Sequence, residues 1–596
     1  MKLRAACFFF SGFVLAGAVC AIAAQPDSVF DAMKAELQRS QTLQLGQLDR
    51  PYFISYEVDD VHVWSASAML GGLIASNQRT FRVPEVHIRV GDYSFDNTNF
   101  GGASPNRRPG LRSFPLEEDA GAVRQYLWLA SDSAYKNSLQ AIARKRASLR
   151  SLTVRDQLPD FAKVQPVALV RDFTLPAFDL NAWNDHARKI SAIFKAYPGL
   201  RGSLVELSAM SGLRRLVTSE GTAIRIPDEL GAVQIRASAQ ASDGMIVRDL
   251  DVFYTRDIGA MFSEDALEKA ARSMGENVTK LASAPAGDNY SGPILFEGMS
   301  APQLLAQILG RNLHIARKPA GPGGPSSQTV ATELEGRRGV RIMPEFFDVT
   351  DDPSLPLFGH EEVDDEGVPD RKVALVERGV LRDFLRTRNP VRGYTDSNGH
   401  ARVAGGPGGE MPEPTNLVVK AGETASIGEL RSKMLDLCQQ RGLPYGIVVR
   451  KMDFPSSAPF DEARRLIAGA ASGGSMRPIS IPTYVYRVYP DGREELIRGV
   501  RLRSLNARSL KDILAAGNDV NTLSYLENEV PFALLGAGAS TAQVAVVAPS
   551  LLIDDLELTK IDDELPRLPV VPSPLTATPS TLASSTRSAD RAVSAK

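Results

Sequence analysis

The chain has 596 residues, 43% of them hydrophobic and 23% charged, with a formal net charge of −2. This is the composition of an ordinary globular protein, and so even a balance gives no reason to expect nucleic acid or an acidic membrane surface as partner. The cysteines are Cys7, Cys20 and Cys438. The first two lie in a leader segment, so the mature chain can form no internal disulfide and must rely on a large core.

In chain order, Lys2 and Arg4 precede the uncharged, mostly apolar run 5–19, and Ala21-Ile22-Ala23 follows with small residues. That order predicts a signal peptide over 1–23, cleaved between Ala23 and Ala24. The run is shorter than the ~20 apolar residues a spanning helix needs. Val19 beside Cys20 fits a lipoprotein signal poorly. No later stretch is long and apolar enough to span a bilayer, so the mature chain is expected to be exported to the periplasm without a transmembrane segment.

The mature part suggests two or three domains at about 100–200 residues each. Helical spacing of Phe30, Met33 and Leu37 predicts a helix over 28–48. Strand-like runs follow at 52–58, 62–64 and 82–90, where Pro84 indicates an edge. A long helical pattern covers 117–149. Paired runs flank Glu220-Gly221, Ser242-Asp243-Gly244, Glu377-Arg378-Gly379 and Pro490-Asp491-Gly492, the turns of four hairpins. Further helices are expected at 265–281, 302–313 and 427–440. Repeated hairpins with interspersed helices make the class α+β, with mainly antiparallel sheets and packed helices. Segments 318–339 and 453–478 are rich in Gly, Pro and Ser. After Leu568 almost no large apolar residue remains, and a disordered tail is expected over 566–596.

Chemistry is sparse. The six histidines (His62, His87, His186, His314, His360, His400) are at least 25 positions apart, which excludes a local two-histidine zinc helix. Cys438 has no cysteine neighbour. A G-x-S-x-G elbow, a P-loop and G-x-G-x-x-G are absent. Ser133-Ala134-Tyr135-Lys136 matches S-x-x-K, but inside a helical pattern and without a partner motif. The acidic run Glu361, Glu362, Asp364, Asp365, Glu366, with His360 beside it, is readable as a cation or substrate-amine site. Without calcium-loop spacing, a solvated loop before the strand at Val373 is the simpler expectation. His314 is expected to decorate the end of the helix before it.

Several blocks resemble, in order, the TldD/TldE (PmbA) family. They are Ser219-Glu220-Gly221-Thr222, Gly292-Pro293-Ile294-Leu295-Phe296-Glu297-Gly298 with its following helix, and Asp364-Asp365-Glu366-Gly367-Val368-Pro369. Ser397-Asn398-Gly399-His400-Ala401-Arg402, Pro414-Thr415-Asn416-Leu417 and Ala515 with Gly517-Asn518-Asp519 continue the series. The resemblance implies a two-domain architecture, divided here as 24–285 and 286–565. It also implies relation to zinc peptidases long called modulators of DNA gyrase, in which a zinc-bearing TldD pairs with a zinc-free TldE.

The family's zinc motif, HExxxH, would fall on the helix 302–313, for which Ser300 and Gln303 suggest a capping box. Ala306, Gln307 and Arg311 stand at the positions of the first histidine, the glutamate and the second histidine. The family's distant cysteine would fall in 536–540, which contains none. A methyl and a guanidinium do not ligate zinc, and an amide is no general base. No resident cofactor is therefore expected, zinc belonging to the catalytic relatives.

The expectation is an exported, TldE-like, non-catalytic or peptide-binding subunit. It would act as a homodimer or as a heterodimer with a TldD-like relative, with a peptide as possible ligand. The alternatives are an active peptidase with a rebuilt site and a non-enzymatic envelope assembly protein. Residues for a cleft are His314, His360, Glu361, Asp364, Asp365, Glu366, Asn398 and His400.

Overall fold

The structure is a computed structural model, and it describes residues 26–100, 114–150, 158–320, 332–406, 409–458, 464, 479–503, 505–528, 541–561 and 573–575. The expected signal peptide, the 536–540 stretch and nearly all of the expected tail lie outside the described residues.

The first sheet is built from β1 (Pro51–Met69), β2 (Gly72–Val90), β3 (Ala168–Val170), β4 (Leu200–Thr218), β5 (Ala223–Gln240) and β6 (Ile246–Thr255). Its order is β2-β1-β4-β5-β3, with β6 also on β5. Residues 52–58 and 62–64 are parts of one 19-residue strand, not two. The polar residues between them do not interrupt it, because β2 and β4 pair along both of its sides. Pro84 lies on β2, an edge as expected.

Strand alternation gives this sheet two faces. Tyr56 and Val58 of β1, Val86 and Ile88 of β2 and Val217 of β4 form one core with helices α1 (Ser28–Ser40) and α2 (Ala120–Leu149). Farther along, Val205 and Leu207 pack with Val233 and Ile235 against α3 (Leu180–Ala192) and α4 (Glu264–Ser283). α1 ends at Ser40, eight residues before the periodic reading would end it; the chain beyond turns, and Leu45 and Leu48 are exposed. The opposite face carries Leu216 and Ile224, which pack against Val363 from the second half of the chain.

The second half contributes β7 (Tyr290–Phe296), helix α5 (Ser300–Ile308), β8 (Phe347–Asp351), β9 (Val373–Glu377), β10 (Val380–Leu381), the hairpin β11 (Ala401–Gly406) and β12 (Gly409–Pro412), and β13 (Asn416–Ala421). Helix α6 (Ile427–Gln440), β14 (Gly446–Met452), β15 (Pro482–Val488), β16 (Glu494–Ile497), β17 (Val500–Arg503), β18 (Ile513–Ala516), β19 (Asn521–Glu527), β20 (Ala542–Ala548) and β21 (Leu551–Lys560) complete it. Two further sheets run β10-β9-β8-β13-β20-β19 and β16-β15-β14-β7-β21-β17. Among the described strands, β3/β5, β7/β14 and β13/β20 are parallel and the other pairs antiparallel. The α+β class with mainly antiparallel sheets therefore holds.

α5 sits inside the largest core, where every one of its residues is buried. The two halves of the chain are pinned by buried charge. Arg388 donates to Ala162 O at 3.0 and 2.8 Å and to Glu220 at 2.7 Å, and it lies 3.8 Å over the Phe161 ring. Lys451 meets Asp249 and Asp251 at 2.7 and 2.6 Å.

Candidate functional site

The helix at the zinc-motif positions starts after Gly298, whose φ of +65° suits the tight turn out of β7. Pro302 occupies its first turn, where a missing N–H costs nothing. The capping box expected from Ser300 and Gln303 does not form. Ser300 Oγ instead donates to Val449 O at 2.6 Å and Glu297 O at 3.1 Å. Gln303 turns away to the end of β14, accepting from Met452 N at 2.7 Å and donating to Met452 O and Phe454 O at 3.0 and 2.7 Å. In a fully buried helix, unpaired strand ends compete for these side chains and win, since a buried backbone group left unbonded is costly.

Gln307, one turn on, is engaged in the same way. Its Nε2 donates to Gln303 O at 2.9 Å and Ser480 Oγ at 3.0 Å, while its Oε1 accepts from Ser480 N at 2.8 Å. Ala306 is a fully buried methyl in the core. Arg311, in the short 3-10 turn Gly310–Asn312, pairs with Glu527 of β19 at 2.8 and 3.4 Å. Both partners are buried, at 8% and 2% side-chain exposure. These residues do not fit a zinc ion: one offers no donor atom, one has its amide bonded at both ends, and one is a cation.

His314 does not decorate a helix end. It is buried, its backbone bridges Leu385, and its Nδ1 lies 3.9 Å from Glu413. His400 is also fully buried. Its Nε2 lies 3.2 Å from Asp351 and its Nδ1 3.0 Å from Asn398 O. Asp351 in turn accepts from Thr415 N at 3.0 Å and from the Thr415 hydroxyl. Asn398 accepts from Arg386 N at 2.8 Å and donates to Phe384 O at 2.9 Å. These groups brace one loop. Gly399 lets it approach its neighbour: φ is +80°, and a Cβ there would stand 2.5 Å from Pro369 O. His360 is spent on Pro353 O at 2.8 Å.

The acidic run is not a solvated loop. Val363 presses it onto the first sheet, and Asp364 is fully buried. Asp364 accepts from Glu366 N, Val368 N and Ala401 N at 3.0, 2.8 and 3.1 Å. Burial nevertheless pushes its carboxyl up to about 8, with the neighbouring Glu366 charge adding to the rise. Glu366 accepts from Arg388 N at 2.7 Å. Asp365 keeps 34% of its side chain accessible and meets Arg214 at 3.3 Å. It therefore faces solvent beside the first sheet, held there by that ion pair.

Sequence reasoning missed the sheet residues that meet this loop through Arg214. Glu57 and Asp59 of β1, Glu85 of β2, Arg214 of β4 and Asp228 of β5 share one sheet face by register. Glu57 stands directly opposite Glu85, an arrangement that costs stability. From the other side come Glu361, Asp370 and Glu410. Burial raises the carboxyl pKa values of Glu57, Asp59, Asp228, Asp365, Asp370 and Glu410. Of the expected cleft residues, the structure joins the acidic run to the loop of Asn398 and His400 through Ala401. His314 connects to that loop through Glu413, whose N–H donates to His400 O at 3.0 Å, and through its bridge to Leu385, whose neighbours Phe384 and Arg386 bond Asn398.

Comparison with known proteins bears on the domain and the fold. Residues 290–452 match the PmbA/TldA metallopeptidase C-terminal domain. A metalloprotease of Archaeoglobus fulgidus is 41% identical over 75 residues, 13% of this chain and 18% of the relative. One of Methanothermobacter thermautotrophicus is 27% identical over 211 residues, 35% of this chain and 43% of the relative. The chain thus spans less than half the length of these curated relatives. The fold is similar to that of TldE from Thermococcus kodakarensis, with a TM-score of 0.56 at 13% identity, covering 89% of this chain and 100% of the other. It is also similar to a putative modulator of a DNA gyrase from Thermotoga maritima, with a TM-score of 0.54 at 15% identity, covering 85% and 96%. Residues 290–452 thus carry the C-terminal domain of the PmbA/TldA metallopeptidases, and the chain as a whole is similar in fold to TldE.

Proposed function

We propose that this chain is an exported, periplasmic, zinc-free member of the family, a TldE-like subunit that binds peptide rather than cleaving it. It works as a dimer, with itself or with a relative that keeps HExxxH. The observation that carries the reading is the state of the motif helix. Gln307 is bonded at both ends of its amide to Ser480, and Arg311 to Glu527, so the groups standing at the base and ligand positions serve the core. A peptidase with a rebuilt site would need a new ligand set. Among the described residues no three His, Cys, Asp or Glu side chains converge closely enough to hold a metal.

Co-expression with an HExxxH-bearing relative from the native host tests the proposal. Peptidase activity is expected only when both chains are present. It should be lost on changing the relative's motif glutamate and kept on Gln307→Ala here. A stable monomer at micromolar concentration, with no relative co-purifying from the host, would remove the dimer reading.

A further inference from the structure

We propose that the tip of the β1–β2 hairpin is a membrane-docking element, which inserts Met69, Leu70 and Ile74 into the surface of a lipid bilayer carrying anionic headgroups. The inference goes beyond the peptide-binding reading and does not depend on it.

The composition of the tip is the first observation. From Ala68 to Ala75 the chain runs Ala-Met-Leu-Gly-Gly-Leu-Ile-Ala, without one polar side chain. The turns at Glu220-Gly221, Ser242-Asp243-Gly244, Glu377-Arg378-Gly379 and Pro490-Asp491-Gly492 each contain a charged residue. Turns lie at the surface, and polar residues are the rule there. At the β1–β2 tip Met69 is instead 45% exposed, Leu70 36% and Ile74 57%. A run of exposed apolar residues in a folded protein marks a surface that something else covers.

The backbone supplies a second, independent observation. Met69 pairs with Gly72, so Leu70-Gly71 is a two-residue turn. The φ angles are +49° at Leu70 and +80° at Gly71, both positive as a type I′ turn requires. Asn-Gly is the favoured pair for such a turn. Leucine is a poor occupant, because its Cβ crowds the backbone in the left-handed region and its side chain offers no hydrogen bond in return. Arg378 takes the same conformation, with φ at +47°, but there Asp348 accepts from its N–H at 2.8 Å. Ile74 falls at the irregularity where the pair Ser67↔Ala75 gives way to Ala68↔Leu73, and such a bulge re-aims a side chain. The local backbone is thus shaped around apolar residues that the fold itself leaves in solvent.

The tip is also held in place. Gly71 N donates to Ser191 Oγ at 3.0 Å, and a Cβ on Gly71 would stand 3.3 Å from Ala192 Cβ and 3.2 Å from Lys195 Nζ. α3 and the turn after it therefore support the hairpin from one side and set the exposed Lys195 beside it.

The choice of a bilayer follows from shape and charge. Three side chains on a convex tip offer far less than the about 800 Å² per partner of a stable protein interface. A bilayer needs no matching pocket. Binding to it grows with the apolar area inserted and with the attraction of a neighbouring lysine to anionic headgroups. The chain as a whole has a net charge of only −2, so this attraction is local to Lys195 and apolar insertion leads.

Two measurements on the chain from Ala24 onward test the inference, with vesicles of equal parts phosphatidylethanolamine and phosphatidylglycerol. In co-sedimentation the parent should bind, and Leu70→Asn with Ile74→Asn should weaken binding by about tenfold or more. Asparagine tolerates the left-handed position, so Leu70→Asn alone should melt no lower than the parent. If the double variant melts well below the parent, Leu70→Asn takes its place and should still weaken binding measurably. For the second measurement, Cys438 is buried, so Met69→Cys provides one accessible thiol for an environment-sensitive fluorophore. Its emission should shift to the blue when vesicles are added. The same label after Val520→Cys, at a site 76% exposed on the second half, should not respond.

Failure of the parent to sediment with vesicles would overturn the inference. So would an unchanged affinity of the variant, or equal responses of the two labels. A parent that ignores vesicles but forms a dimer, and becomes monomeric on Leu70→Asn, would overturn it in favour of a protein contact at the tip.

Discussion

Replacing Arg311 by Ala should damage the protein more than any change at the neighbouring motif positions. The guanidinium pairs with Glu527 at 2.8 Å inside the core, and the carboxylate is 2% exposed. The Tyr525 hydroxyl also bonds to it, but a neutral donor does not replace a charge. Removing one partner of a buried pair costs about 3–5 kcal/mol, because the other charge stays buried. At about 2 °C per kcal/mol for a unit of this size, the melting temperature should fall by about 6–10 °C. Replacing both partners with apolar residues, Arg311→Met with Glu527→Leu, removes the stranded charge and should recover most of the loss. Thermal denaturation followed by near-ultraviolet circular dichroism reads both effects. A single variant melting within about 1 °C of the parent, on the scale just used, would refute the reasoning. So would a double variant no more stable than the single one.

Three further outcomes are expected. Gln307→Ala removes the bonds to Ser480 and leaves its backbone N–H unpaired, which should cost about 1–3 kcal/mol in urea denaturation; an unchanged midpoint would contradict the assignment. Stability should also fall as pH rises from about 4 towards 8. The Asp364 carboxyl, at 3.8 in its ordinary state, is pushed up to about 8, so at intermediate pH the folded chain holds a proton that the unfolded chain has released. The raised carboxyls of Asp365, Asp370 and Glu410 act in the same direction. A melting temperature higher at pH 8 than at pH 5.5 would oppose this. Finally, intact mass of exported protein should begin at Ala24, and a retained Met1 in mature material would refute cleavage there.

Much of the fold was legible because local chemistry and tertiary structure agree there. Ser426 and Glu429 form a capping box, and the helix runs over 427–440 as its periodicity predicts. The turns at Gly221, Gly244, Gly379 and Gly492 all have positive φ and close the expected hairpins. α3 was missed, although Asp179 caps its N-terminus by accepting from Ala182 N. Leu180, Trp183, Ala187 and Ile190 recur at helical spacing along it, a signal the sequence carried, and Leu180, Trp183 and Ile190 pack into a core with a sheet distant in sequence. Ser300 and Gln303 misled: they satisfy a capping pattern locally, but β14 claims them. The site was half legible. The run 361–366 stands out as charge, whereas Glu57, Asp59, Glu85 and Asp228 look like the polar residues of ordinary strands until register places them on one face. Arg311 could be read as a lost ligand from the sequence, but its partner Glu527 lies 216 residues away and is found only in the fold.

The account turns on whether this chain holds zinc, and elemental analysis of protein purified from its native host without chelators measures that directly. Zinc well below one per chain is predicted, together with no peptidase activity of the isolated chain. One tightly held zinc per chain, lost on changing His314 or His360, would contradict it and point to a rebuilt catalytic site.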